Sequence, residues 1–85
     1  MSYKILFTDT SHKQFKKLER EIQKRIIHAL ERIRIRPEKH VKKLVGDPGY
    51  RLRVGDYRVI LDIKKDKLII LVIKIGHRKN IYKNL

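Results

Sequence analysis

The stretch Tyr50–Ile63, YRLRVGDYRVILDI, decides the fold of this 85-residue chain. Two alternating runs meet at Gly55-Asp56, and a two-residue loop with Gly at its first central position is the signature of a type II′ hairpin turn. With that turn in place, Val54 faces Tyr57, Arg53 faces Arg58, Leu52 faces Val59 and Arg51 faces Ile60. Side chains alternate between the two faces of a strand. Tyr50, Leu52, Val54, Tyr57, Val59, Leu61 and Ile63 therefore form one apolar face, and Arg51, Arg53 and Arg58 share the other. Like charges directly opposite each other destabilise a sheet by roughly a few tenths of a kcal/mol or more. An anionic ligand on the arginine face removes that conflict, and a phosphate backbone is the natural candidate.

Outward from the hairpin, the chain reads as a single small domain over residues 1–85. Tyr3 to Phe7 (YKILF) reads as a first strand. Thr8, Asp9, Thr10 and Ser11 offer N-caps, and Ser11 with Gln14 has the spacing of a capping box. Phe15, Leu18, Ile22, Ile26, Ala29, Leu30 and Ile33 then recur at helical steps until Pro37. One unbroken helix from Thr10 to Arg36 would run about 40 Å at ~1.5 Å per residue. A domain of this size is only roughly 30 Å across. A break is therefore expected near Leu18 to Glu21, giving an antiparallel helix pair.

Pro37 to Gly49 (PEKHVKKLVGDPG) reads as a loop with a short turn, pinned by Val41, Leu44 and Val45. After the hairpin, Lys64-Lys65-Asp66-Lys67 marks a second turn. Leu68 to Ile75 (LIILVIKI) is apolar at nearly every position, which predicts a strand buried on both faces at the centre of the sheet. The tail His77 to Leu85 is polar, with Ile81, Tyr82 and Leu85 as anchors. The order β-α-α-β-β-β predicts an α+β fold: a mostly antiparallel sheet with the helix pair on one face and the arginine face at least partly open.

Composition narrows the function. The net charge is +14, with ten Lys/Arg against five Asp/Glu in residues 1–38 and thirteen against four in residues 39–85. So one-sided an excess attracts polyanions, nucleic acid first among them, or an acidic protein. A thermophile's charged surface accounts for many charges but not for their sign. The chain has no Cys, which removes disulfides and thiolate metal sites and fits a reducing cytoplasm. Neither a signal peptide nor a membrane-spanning run is evident, so a cytoplasmic location without membrane attachment is expected. Carboxylates are few and dispersed, and no zinc spacing, phosphate-binding glycine loop or Ser/His/Asp set occurs. Neither a metal nor a cofactor is expected.

Three segments together resemble a known family: the helical spacing of Phe15 to Ile27, the hairpin with GDYRV (Gly55 to Val59), and IGHRKNIY (Ile75 to Tyr82). They cover most of the chain and are similar to the RelE toxins of prokaryotic toxin–antitoxin pairs. The wider superfamily includes ParE-like proteins that poison DNA gyrase. The resemblance implies a microbial RNase fold, an acidic RelB-like antitoxin in a hetero-oligomer, and ribosome-dependent cleavage of mRNA in the A site. Attack of a ribose 2′-OH on the adjacent phosphate would leave a cyclic phosphate. The resemblance maps the family's basic site residues onto Arg51, Arg53, Arg58 and Arg78, with a C-terminal aromatic at Tyr82. In the best-known members the positions of Arg51 and Arg53 hold lysine, and the segment from Arg78 to Tyr82 is two residues longer.

Those departures matter chemically. The reaction needs deprotonation of the 2′-OH, stabilisation of the phosphorane charge, and protonation of the 5′ leaving oxygen. Arginine suits the second task, because its planar fork stays charged against phosphate oxygens. It suits the first poorly, having almost no neutral form at neutral pH. His77 and Tyr82 are the titratable candidates, the first by proton affinity and the second by resemblance. Arg51, Lys79 and Lys83 are expected to hold phosphates.

Each residue also has a structural reading. Arg51 and Arg53 could be solvated, Arg58 could pair with Asp62, Tyr82 could anchor the tail, and His77 could support a loop. His12, His28 and His40 read as solvated. Two other functions compete with the endoribonuclease toxin: a ParE-like inhibitor of DNA gyrase, and a non-catalytic RNA- or ribosome-binding module.

Overall fold

The hairpin fixes the middle of the sheet. The computed structural model describes residues 2–46 and 48–81. Strands β3 (Tyr50–Val54) and β4 (Tyr57–Lys64) are antiparallel. Their register is the one the turn demands: Val54 opposite Tyr57, Arg53 opposite Arg58, Leu52 opposite Val59 and Arg51 opposite Ile60. Gly55 sits at φ +59°, a backbone conformation that an L side chain disfavours.

The other elements are β1 (Lys4–Phe7), α1 (Asp9–Lys16), α2 (Arg20–Ile33), a 3-10 turn at Pro37–Lys39, β2 (Lys42–Lys43) and β5 (Ile69–His77). The sheet order is β1-β5-β4-β3-β2, with only the β1–β5 pair parallel. The mostly antiparallel α+β architecture therefore holds, with one more strand than the sequence predicts. The dipeptide Lys42-Lys43 is too short to carry a strand pattern and becomes one only by pairing with Arg51 and Tyr50. A second correction concerns β5. It lies between β1 and β4, so β4 is the central strand. Its outer face is only partly covered, with Ile69 and Leu71 half-buried and Ile73 exposed.

A single core lies between the helices and the sheet. Ile26, Leu30 and Ile33 of α2 pack against Leu52, Val59, Leu61, Ile70, Val72 and Ile75. Fully burying an aliphatic side chain of this kind stabilises by about 1.5–3 kcal/mol. Ile60 pairs with Lys74 but Leu61 pairs with Val72, so the ladder slips by one residue at Ile73. Such a bulge changes the alternation. It brings Ile75 into the core although Ile70 and Val72 lie at odd spacing from it.

The helix break falls at Lys17–Glu19, where neither Gly nor Pro stands. The open end of α1 is closed from α2, because the Gln23 side-chain amide donates to the Phe15 carbonyl at 2.9 Å. At the other end of α1 the cap is Thr8, whose hydroxyl accepts from the Ser11 N–H at 3.1 Å. The Ser11–Gln14 capping box is thus corrected. Both residues instead serve the sheet where β1 stops short of β5. Buried Ser11 donates to the Val72 carbonyl at 2.8 Å, and Gln14 Oε1 accepts from the Ile75 N–H at 2.8 Å. The Val72 carbonyl also accepts from the Thr8 N–H at 3.0 Å, whereas Gln14 satisfies a β5 amide that no strand reaches, which tertiary context alone could assign.

On the outer face of the sheet, Ile81 is buried over Gly76, and a Cβ placed on Gly76 would stand 3.0 Å from Ile81 Cδ1. Gly76→Val is expected to push Ile81 off the sheet and to cost about 1–3 kcal/mol, read as a lower urea midpoint at an unchanged slope. Gln14→Leu leaves the Ile75 N–H without its acceptor and is expected to cost about 1–3 kcal/mol in the same titration.

Candidate functional site

Arginines on the outer face of the hairpin meet residues from the loop that precedes it. Arg51 and Arg53 of β3, Arg58 of β4, and His40 and Lys42 from the segment around β2 line an open recess of about 200 Å³. Among the described residues its lining includes no carboxylate. The recess exists because β2 folds back along β3, with Lys42 paired to Arg51. That pairing carries His40 and Lys42 to the arginine face. His40, read from the sequence as solvated, is the residue that sequence reasoning missed. No local pattern flags it, since its place depends on a two-residue strand.

The opposed arginines settle their conflict in part through the turn itself. The Arg58 Nη1 donates to the carbonyls of Gly55 and Tyr57, both at 2.9 Å. Its guanidinium is thereby fixed by neutral acceptors that leave its charge intact. It makes no ion pair with Asp62, which lies 3.3 Å from Lys64 instead. Arg53 is exposed.

Arg78 stands beside the same turn without lining the recess. Its backbone N–H donates to the Asp56 carbonyl at 2.8 Å, and its Nε lies 3.8 Å from Asp56 Oδ1 in an exposed pair. The hairpin turn thus ties Arg58 and Arg78 to one end of the sheet. His77 is placed differently. Arg58 pairs with Gly76, so alternation puts His77 with Tyr57 on the face away from Arg58. The two rings meet edge to face, centroids 5.5 Å apart. The His77 Nδ1 accepts from the Lys79 N–H at 3.2 Å, and its carbonyl accepts from Asn80 and Ile81. His77 therefore organises the turn that holds Ile81, and Lys79 follows on that turn, exposed. Tyr82 and Lys83 lie outside the described residues.

The recess is suited to a phosphate group. Guanidinium forks take phosphate oxygens in pairs, and His40 is the one imidazole among its lining residues. Among the described residues no group of three or more His, Asp or Glu comes together as a metal centre would require. No described helix is long and apolar enough to cross a membrane.

Comparison with known proteins agrees with this fold. A family model described as the ParE toxin of the type II toxin–antitoxin system parDE matches residues 5–82. None of the curated proteins matches. Among solved structures, the RelB–RelE antitoxin–toxin complex from Methanococcus jannaschii contains a chain 31% identical to this one, at TM-score 0.72, covering 94% of this chain and 98% of that one. The intact E. coli RelBE toxin–antitoxin complex matches at 26% identity and TM-score 0.77, covering 89% and 96%. The RelBE2 complex of Mycobacterium tuberculosis matches in fold at 22% identity and TM-score 0.84, covering 92% and 100%. With a family model spanning nearly the whole chain and a RelE-type fold carrying a basic recess, the chain belongs to the RelE/ParE superfamily of type II toxins.

Proposed function

We propose that this toxin is a ribosome-dependent endoribonuclease that cuts mRNA in the A site. The observation that carries the reading is the recess itself, with Arg51, Arg53, Arg58 and Lys42 around one anion-sized space and His40 at its wall. In the reaction, the 2′-OH loses its proton, O2′ bonds to phosphorus, the P–O5′ bond breaks and O5′ takes a proton. A cyclic phosphate and a 5′-hydroxyl result.

Arg53 and Arg58 meet the non-bridging oxygens and stabilise the charge that grows on them. Arg51 and Lys42 hold the flanking backbone. Arg78, tethered beside the turn, supports the leaving side, with Tyr82 four residues further along the chain and Lys79 and Lys83 as further phosphate contacts. His40 takes over the proton transfer that arginine cannot perform. Among the described residues its imidazole has no hydrogen-bond partner, whereas that of His77 is engaged by Lys79. A site whose described lining carries one acid–base group depends on external alignment of its substrate, which the ribosome supplies. The antitoxin is an acidic, amphipathic RelB-like chain that neutralises the recess in a hetero-oligomer.

Arg53→Ala is expected to lower message cleavage in a translating extract by about 10²-fold, the scale of losing one transition-state donor, with an unchanged melting temperature. Message left intact by the wild type as well removes the endoribonuclease reading. Since the matching family model is that of ParE, the same preparation belongs in a gyrase supercoiling assay, where inhibition would assign the alternative activity. His40→Gln is expected to slow cleavage by about 10²-fold or more. His77→Gln, whose ring is engaged by the Lys79 N–H on the other face of the sheet, is expected to leave cleavage far less affected in the same assay.

A further inference from the structure

A second basic groove lies on the helix side of the β3 edge. Arg25, His28, Ala29 and Arg32 form one stripe of α2, at the three- and four-residue spacing that puts side chains on a common face. With Arg53, Val54 and Gly55 they line a groove of about 320 Å³. The groove is open because β2 pairs only with Tyr50 and Arg51, leaving the rest of the β3 edge uncovered. Arg25 reaches the hairpin turn, its Nη1 3.7 Å from where a Cβ on Gly55 would sit. Arg25, His28, Arg32 and Arg53 are all exposed. Among the described residues no carboxylate forms an ion pair with any of the three arginines. Glu31, the acidic residue nearest in sequence to Arg32, turns to Arg34 at 2.8 Å. Apart from Ala29, which packs against the core, neither the core nor the proposed cleavage chemistry uses this stripe.

Arg53 lines both this groove and the recess on the other face. We infer that the α2 stripe is a second backbone-binding site for RNA, continuous with the recess, so that a strand held at Arg53 wraps the β3 edge and runs along Arg25 and Arg32. Phosphates explain the lining better than an acidic peptide does. The groove offers guanidinium forks and an imidazole but only Ala29 and Val54 as apolar surface, too little to anchor the apolar face of a docked helix. Arginines left without internal partners suit a polyanion whose release of counterions drives binding.

The inference rests on the RNA-cleaving reading for its ligand class, and its test uses RNA that cannot be cleaved. Binding of 2′-O-methyl oligoribonucleotides of about four and about twelve nucleotides is followed by fluorescence anisotropy over a salt series, alongside an RNA duplex of the longer length. The double variant Arg25→Ala/Arg32→Ala is expected to bind the long probe about tenfold more weakly. Its salt slope should shrink by about 0.7 for each phosphate that is no longer neutralised, and the short probe should be unaffected. The control Arg20→Ala/Lys24→Ala, on the same helix outside the groove, should change neither. Loss confined to the single strand marks the message as the ligand, and loss on the duplex marks a ribosomal helix; either supports the site. Equal losses on short and long probes, or equal losses in the control, would overturn it. So would weakened binding of an acidic antitoxin peptide with every RNA affinity intact. Groove-dependent binding by a protein that cuts no message would keep the site and sink the cleavage reading.

Discussion

The cross-strand contact of Arg53 with Arg58 is the constraint around which the molecule is arranged. A turn with Gly at φ +59° allows only one register, and that register sets two guanidinium groups side by side on an exposed face. The repulsion is contained rather than cancelled. Arg58 is bonded to two carbonyls of its own hairpin, which positions it without neutralising it. A carboxylate partner would have stabilised the sheet slightly and removed its affinity for anions. Neutral acceptors leave a preorganised cation ready for a phosphate, and preorganisation is what makes such groups effective in a transition state.

The rest of the fold serves that face by burying the other. Helix α2 supplies Ile26, Leu30 and Ile33 to the core, while the stripe of Arg25, His28 and Arg32 flanking that face stays exposed and basic. Helix α1 does a different job. Thr8, Ser11 and Gln14 satisfy β5 backbone groups where β1 has ended. An orphaned Ile75 N–H would cost more than the Gln14 side chain that receives it. The bulge at Ile73 and the packing of Ile81 over Gly76 then deliver the chain to the hairpin turn, where Arg78 is tied to Asp56. Sheet stability and site geometry are therefore carried by the same few contacts at one end of the sheet.

Under the proposed cleavage reading, arginine at positions 51 and 53 suits charge stabilisation rather than proton transfer. The proton would then be handled elsewhere. His77 attracts attention in the sequence because it adjoins Arg78, but alternation along β5 turns it to the helix side, where Lys79 and Tyr57 engage it. His40 arrives from thirteen residues before Arg53. The two histidines differ in the sheet face they occupy, His40 at the arginine recess and His77 on the helix side.

Periodicity and turn chemistry, which are local properties, were enough to determine the hairpin register, the arginine face, the first strand, the helical stretch and the α+β class. The helix break followed from the length of that stretch against the size of the domain. Gly55-Asp56, Pro37 and the spacing of Ile22, Ile26, Leu30 and Ile33 each act over a few residues, so their consequences are written in the chain itself. What tertiary structure decided was everything that depends on pairing between distant segments. Lys42-Lys43 becomes a strand only against β3, and His40 enters the recess only as a result. Ser11 and Gln14 leave the roles their spacing suggests because β5 passes beside them, offering the Val72 carbonyl to one and an Ile75 N–H that no strand reaches to the other. A polar group goes where an unsatisfied partner is buried, and no window of sequence contains that partner.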